Sequence, residues 1–233
     1  MHRSRPLALF VAACLSGCAS TKNAPVVPTE DQTGFLEDYT NLRAGREGEP
    51  AYVFRMPNAL KSYDKIIIEP VEVWRGEESV GVSREVLQFL ADYLYTLISM
   101  RVDADYEIVK EPDPTTMRLR VAYTRVGETG TKLTVQSSTT PQPNLIRQFQ
   151  EKTKEPPSFS RATSVEIAIR DGLGGVTVFA AIERKDLALP ANAEGYGWDD
   201  VEAELTYDAD RVGWILCSER RGADNCARPV RGR

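Results

Sequence analysis

Apolar positions recur along this chain with two periods, and those periods divide it into strands, two long helices and polar connections. Residues 164–171 alternate Val165, Ile167 and Ile169 with Glu166, Ala168 and Arg170, the period of two expected of a strand with two distinct faces. The glycine-rich turn Asp171-Gly172-Leu173-Gly174-Gly175 follows, and residues 176–183 return as the second arm of a hairpin. Met117, Leu119 and Val121 alternate with Arg118 and Arg120, so 117–126 is a strand whose arginines face away from its apolar side. Residues 63–74 begin as a continuous apolar run and end alternating, and Pro70 marks an edge or bulge there because it cannot donate a ladder hydrogen bond. Shorter strands are expected at 106–109 and 132–135.

The other period is helical. Ser83 is placed to cap a helix over 83–101 with Glu85 in its first turn. Its apolar stripe is Val86, Leu87, Leu90, Tyr93, Leu94, Leu97 and Ile98, with Phe89 at the margin, while Asp92, Thr96 and Ser99 are expected to face water. A second helix over 199–219 starts at a capping box of Asp199 and Glu202 and buries Val201, Leu205, Ala209, Val212 and Leu216. These elements predict one α+β domain over 34–233, an antiparallel or mixed sheet packed by two main helices. The cluster Phe35, Leu36 and Tyr39 docks a short segment on that domain, ahead of a Gly- and Arg-rich turn at 43–50. Residues 136–162 turn Ser-, Thr-, Pro- and Gln-rich, with an amphipathic patch at Leu145, Ile146 and Phe149; a long polar loop is expected over 138–160.

The N-terminal residues have a different character. Arg3 and Arg5 precede an apolar run over 6–15, about ten residues where a membrane-spanning helix needs ~20. The run ends in Leu15-Ser16-Gly17-Cys18, which resembles a lipobox, so 1–17 are expected to be a lipoprotein signal peptide and Cys18 the first mature residue. Two or more acyl chains on Cys18 would tie the protein stably to a membrane. Ala19 and Ser20, by resemblance to lipoprotein sorting rules, favour the outer membrane, facing the periplasm. Residues 18–33 are small, polar and proline-containing, and are expected to be a lipidated flexible spacer.

Charge and composition narrow the chemistry. The formal net charge is −5, and losing Arg3 and Arg5 makes the mature chain more acidic still, which argues against nucleic acid as a partner. The one histidine, His2, lies in the signal, which removes Ser-His-Asp and Cys-His catalysis and His-ligated zinc. No cofactor or metal is expected. With Cys14 in the signal and Cys18 used by lipid, Cys217 and Cys226 remain as a disulfide pair, a structural clip worth ~2 to 3 kcal/mol in the chain-entropy model. The clip holds a tail containing Arg220, Arg221, Arg228, Arg231 and Arg233, expected as a solvated end. Ser62-Tyr63-Asp64-Lys65 has the Ser-x-x-Lys spacing of penicillin-interacting enzymes but runs into a strand instead of opening a helix. Gly127-Glu128-Thr129-Gly130-Thr131-Lys132 lacks the order of a phosphate loop and is expected to be a turn. Asp199, Asp200, Glu202 and Glu204 are what a helix dipole favours at its start, without calcium-loop spacing.

Gly34-Phe35-Leu36 with Asp38-Tyr39, Tyr63-Asp64-Lys65, Glu69-Pro70-Val71-Glu72-Val73-Trp74 and Leu119-Arg120-Val121 together resemble a Gram-negative lipoprotein family classed as domain of unknown function thirty-three thirteen. The resemblance covers most of the mature chain and implies the location and the fold, without catalytic residues to transfer. The expected function is therefore a membrane-anchored, non-catalytic binding or adaptor module with an envelope protein as partner. The alternatives are a carboxylate-dependent glycan hydrolase, with two acidic side chains in one cleft, and a small-ligand or lipid carrier, with an apolar cavity between sheet and helices.

Overall fold

A computed structural model describes residues 27–75, 83–125, 132–153, 163–185 and 197–230. Its strands are β1 (Arg43–Ala44), β2 (Tyr52–Arg55), β3 (Lys65–Ile68), β4 (Glu72–Arg75), β5 (Glu107–Ile108), β6 (Thr116–Arg125), β7 (Lys132–Gln136), β8 (Thr163–Asp171) and β9 (Thr177–Lys185). Its helices are α1 (Arg84–Val102), α2 (Leu145–Lys152) and α3 (Trp198–Arg221). The strands form one mixed sheet in the order β1-β2-β9-β8-β6-β3-β5, with β4 beside the later half of β6 and β7 outside β4. β6 is the axis: it pairs antiparallel with β8 along its length and parallel with both β3 and β4 on its other edge. The single α+β domain predicted from the sequence is present.

Pro70 explains why the strand expected over 63–74 is two strands. Glu69 still donates its N–H to the Leu119 carbonyl (2.9 Å), Pro70 has none to give, and the Val71 N–H goes to the Ser137 hydroxyl (2.8 Å) before pairing resumes at Glu72. β1 and β2 were not expected; they are short and lie at the edge of the sheet, β2 pairing with β9. Met117, Leu119, Val121, Val165, Ile167 and Ile169 face α1 and α3, as the alternation predicted, and none is more than 3% exposed.

Ser83 caps α1 as expected, its hydroxyl accepting the Val86 N–H. The polar side of that helix does not face water, however: Thr96 is 1% and Ser99 6% exposed. Residues 136–142 cross over it, tied by Gln88 Nε2 to the Gln136 carbonyl (2.7 Å), the Ser138 N–H to Asp92 (2.6 Å) and the Gln142 N–H to Thr96 Oγ1 (2.9 Å). Part of the loop expected over 138–160 is therefore a backbone-bonded crossing followed by α2, whose Phe149 stacks on Phe89 of α1 at 4.2 Å. Residues 154–160 lie outside the described residues. α3 is capped two residues earlier than expected: the Gly197 N–H donates to the Asp200 carboxylate (2.7 Å), and Glu202 accepts from the Tyr93 hydroxyl (3.1 Å). Its predicted buried seam holds, with all five residues at or below 2% exposure.

The turn between β8 and β9 needs a glycine at 172. The Gly172 N–H donates to the Thr116 carbonyl at 2.8 Å, and a Cβ there would sit 2.4 Å from that oxygen. Gly172→Ala is expected to cost about 2 kcal/mol and lower Tm by roughly 4 to 8 °C, read by thermal unfolding followed by circular dichroism. An unchanged Tm would mean that the turn relaxes freely.

Candidate functional site

The face of the sheet turned away from the helices is floored by alanines on three strands: Ala122 of β6, Ala168 of β8 and Ala180 of β9. Their small side chains leave a trough, and residues 27–42 lie in it as a strap. Val27, Phe35, Leu36, Tyr39 and Leu42 are each at most 7% exposed, and burying such a side chain contributes about 1.5 to 3 kcal/mol. Residues 27–33, expected to be the end of a flexible spacer, are instead part of the packed strap, with Val27 and Thr33 buried. A proline- and threonine-rich composition hid the fact that these residues have a receiving surface.

At the centre of the trough Glu166 is fully buried. One of its oxygens accepts from Thr33 Oγ1 at 2.7 Å and the other from the Tyr39 hydroxyl at 3.0 Å, both donors carried by the strap. Burial pushes the Glu166 carboxyl above its ordinary value, while these hydroxyls pull it back. Burial and the neighbouring carboxylate push the Tyr39 hydroxyl up to about 12, so it stays a donor. Tyr39 also accepts the N–H groups of Gly34 (3.0 Å) and Leu36 (3.2 Å), which folds the strap around its own ring. Ion pairs fasten the strap on either side of Thr33, Asp31 to Arg184 and Glu37 to Arg170.

Beside the strap, the arginines that alternation turned away from the core form a charged row. Arg118 and Arg170 are direct cross-strand partners. Arg120 reaches Glu72 at 3.1 Å and Glu69 at 3.5 Å, with its guanidinium over the Phe35 ring at 4.6 Å. Glu72 also accepts from the Trp74 indole at 2.7 Å.

The remaining candidates disperse. Ser62 donates to the Ala59 carbonyl at 2.8 Å, whereas Lys65 is paired with Asp113, which raises the lysine and holds the Asp113 carboxyl well below the usual range. Such a lysine cannot serve as a neutral base. Gly127 to Thr131 and Cys18 lie outside the described residues. A groove of about 270 Å³ between residues 49–55 and α3 does contain two carboxylates, Glu49 and Glu219. Arg55 lies between them, 3.1 Å from the first and 2.9 Å from the second. The Arg46 N–H and Arg55 lower the Glu49 carboxyl, the opposite of what a general acid needs. A second groove, of about 450 Å³, runs between α3 and residues 226–230. Cys217 and Cys226 are bonded as expected. The arginine tail is tied down in part: Arg220 and Arg221, between the two cysteines, are held by Asp105, and Arg228 beyond them lies over Trp214 at 5.4 Å, with Arg211 of α3 at 4.8 Å.

Residues 31–212 match the family model described as "Protein of unknown function (DUF3313)". The chain belongs to this family. The DUF3313 region runs from the strap to α3 and includes Thr33, Tyr39 and Glu166, while Cys217 and Cys226 lie beyond it. No curated protein matches the chain. Among solved structures, a dodecameric PelC variant from Paraburkholderia phytofirmans is 12% identical, with 72% of this chain and 94% of that one covered and a TM-score of 0.31.

Glu166 makes the stability of this DUF3313 domain depend on pH. Its folded pKa lies above its unfolded value, so its contribution is fully present below about pH 4.5, the ordinary carboxyl value, and is lost as pH rises through the folded value. Glu166→Gln removes the ionisation and keeps a polar partner for the strap. The Tm of the variant minus that of the native protein is expected to be larger at pH 8 than at pH 4, and a difference independent of pH would mean that Glu166 does not titrate across this range.

Proposed function

We propose that this protein is a lipid-anchored module of the outer membrane, facing the periplasm, that binds an envelope protein and performs no catalysis. The strap carries this reading. The segment that leads from Cys18 is built into the back of the sheet through Glu166, so an acylated Cys18 would be coupled to the folded domain by nine residues, a reach of about 30 Å at most. That geometry suits a module held at a surface to meet a partner. The ionisable groups support the same reading, because they are committed to one another: Tyr39 to Glu166, Tyr93 to Glu202, Lys65 to Asp113, and Glu49 and Glu219 to Arg55. Their shifts run away from catalysis, with the Tyr39 and Tyr93 hydroxyls pushed up to about 12 and Lys65 raised.

Cross-linking the native protein in intact cells, followed by mass spectrometry, tests the proposal against a Cys18→Ala control. One defined envelope protein captured by the native form and lost in the control is the expected result. Repeated efficient cross-linking without a specific partner, or saturable turnover of glycan abolished by Glu49→Gln or Glu219→Gln, would overturn it.

A further inference from the structure

The row of arginines on the back of the sheet has a feature that structural pairing alone leaves unaccounted for. Arg118 and Arg170 face each other directly across β6 and β8, an arrangement of like charges that destabilises a sheet unless an anion lies between or beside them. Their partners are sparse. Arg118 gives Nε to the Gly172 carbonyl at 3.3 Å and approaches Glu69 only to 3.7 Å. Arg170 gives one terminal nitrogen to Glu37 at 2.8 Å, and its buried Nε has no partner. Each guanidinium carries five N–H donors in a planar fork that fits carboxylates in bidentate fashion, so most of this donor capacity is unused. With Arg120 included, three positive charges face Glu69 and Glu72, and the surplus charge is met by Glu37.

Glu37 is a loose occupant. Its side chain is 74% exposed, it sits on the strap and not on the sheet, and it reaches Arg170 through one oxygen. Arg170, and at longer range Arg120, lower its carboxyl, which marks the position as favourable to a carboxylate. Arg120 is fixed by Phe35, Glu69 and Glu72, while the Arg118 and Arg170 side chains beside it stay partly exposed, at 33% and 20%.

We propose that Arg118 and Arg170 form a carboxylate-binding site, positioned by Arg120 and filled in the free protein by Glu37, that takes acidic side chains of a partner protein. This rests on the adaptor reading and gives it a site. Glu37 is then an internal stand-in that an incoming carboxylate displaces, gaining the second oxygen contact that Glu37 does not make.

The test uses the full-length protein in neutral detergent, titrated with fluorescent hexaglutamate at low ionic strength. Hexaglutamate is expected to bind, about tenfold more tightly to Glu37→Gln and at least tenfold more weakly to the Arg118→Gln, Arg170→Gln double variant, with the difference vanishing at high salt. Glu37→Gln binding no better than the native protein would overturn the proposal, and so would a folded double variant that binds as well as the native one. Should the double variant lose its fold, the Glu37→Gln result decides alone, since that side chain is mostly solvent-exposed. Inorganic phosphate binding to Glu37→Gln in preference to hexaglutamate would overturn the carboxylate assignment in favour of phosphate. Cross-linking in cells separates the two levels: a partner captured equally by the native protein and by Arg170→Gln sinks this site and leaves the adaptor reading standing, whereas hexaglutamate binding in vitro without any partner in cells does the reverse.

Discussion

A carboxylate with no access to water is the constraint from which the back of this domain follows. Glu166 sits in the middle of a central strand, on the face away from the helices, and its burial is tolerable only if donors reach it or it stays protonated. The sheet offers it the Thr124 hydroxyl of β6, but its N–H groups are used in the ladder with β6 and β9. Thr33 and Tyr39 therefore come from outside the sheet, and they can do so only because alanines at 122, 168 and 180 let the strap approach closely. The polar contact selects which segment lies in the trough, and the apolar contacts of Phe35, Leu36 and Leu42 supply most of the adhesion. Each would be weak without the other.

The two faces of the sheet solve different problems. Toward α1 and α3 the side chains are branched and aliphatic, and the packing is continuous from Ile66 to Ile169. On the other face charge is interleaved with the strap, and paired carboxylates and guanidinium groups take the place of a second layer of helix. Arg184 and Arg120 each combine an ion pair with an aromatic surface, Tyr52 and Phe35 respectively, so their stems and planes are covered while their charges are met. A face of that kind leaves Arg118 and Arg170 partly exposed beside the strap.

What the sequence made legible depended on periodicity. The alternation through Val165, Ile167 and Ile169 and the stripes of the two long helices located the core, and Ser83 located a helix start to the residue. The same alternation placed Glu166 on the far face but could not reveal that this face is also buried, since a period of two describes sidedness and says nothing of what covers each side. Thr33 carried no signal at all. A hydroxyl in a proline-containing stretch has the same appearance whether it meets water or a carboxylate 133 residues away. β1, β2 and α2 were missed because short elements are settled by their neighbours more than by their own composition: α2 owes its place to Phe89 and Trp198, and β2 owes its place to the exposed edge of β9. Thr96 and Ser99 failed differently, as polar residues whose hydroxyls bond back to Asp92 and Tyr95 and so can be covered without loss.

The strap also has a mechanical direction. Its fastenings take Asp31 to Arg184 of β9, Thr33 to Glu166 and Glu37 to Arg170 further along β8, before Tyr39 returns to Glu166. Tension applied upstream of Val27 along the strand axis would load these contacts in shear, all together, instead of unzipping them one after another. A pull at right angles to the sheet would peel them in sequence, beginning at Asp31. The domain is thus stiff toward one direction of traction and yielding toward the other.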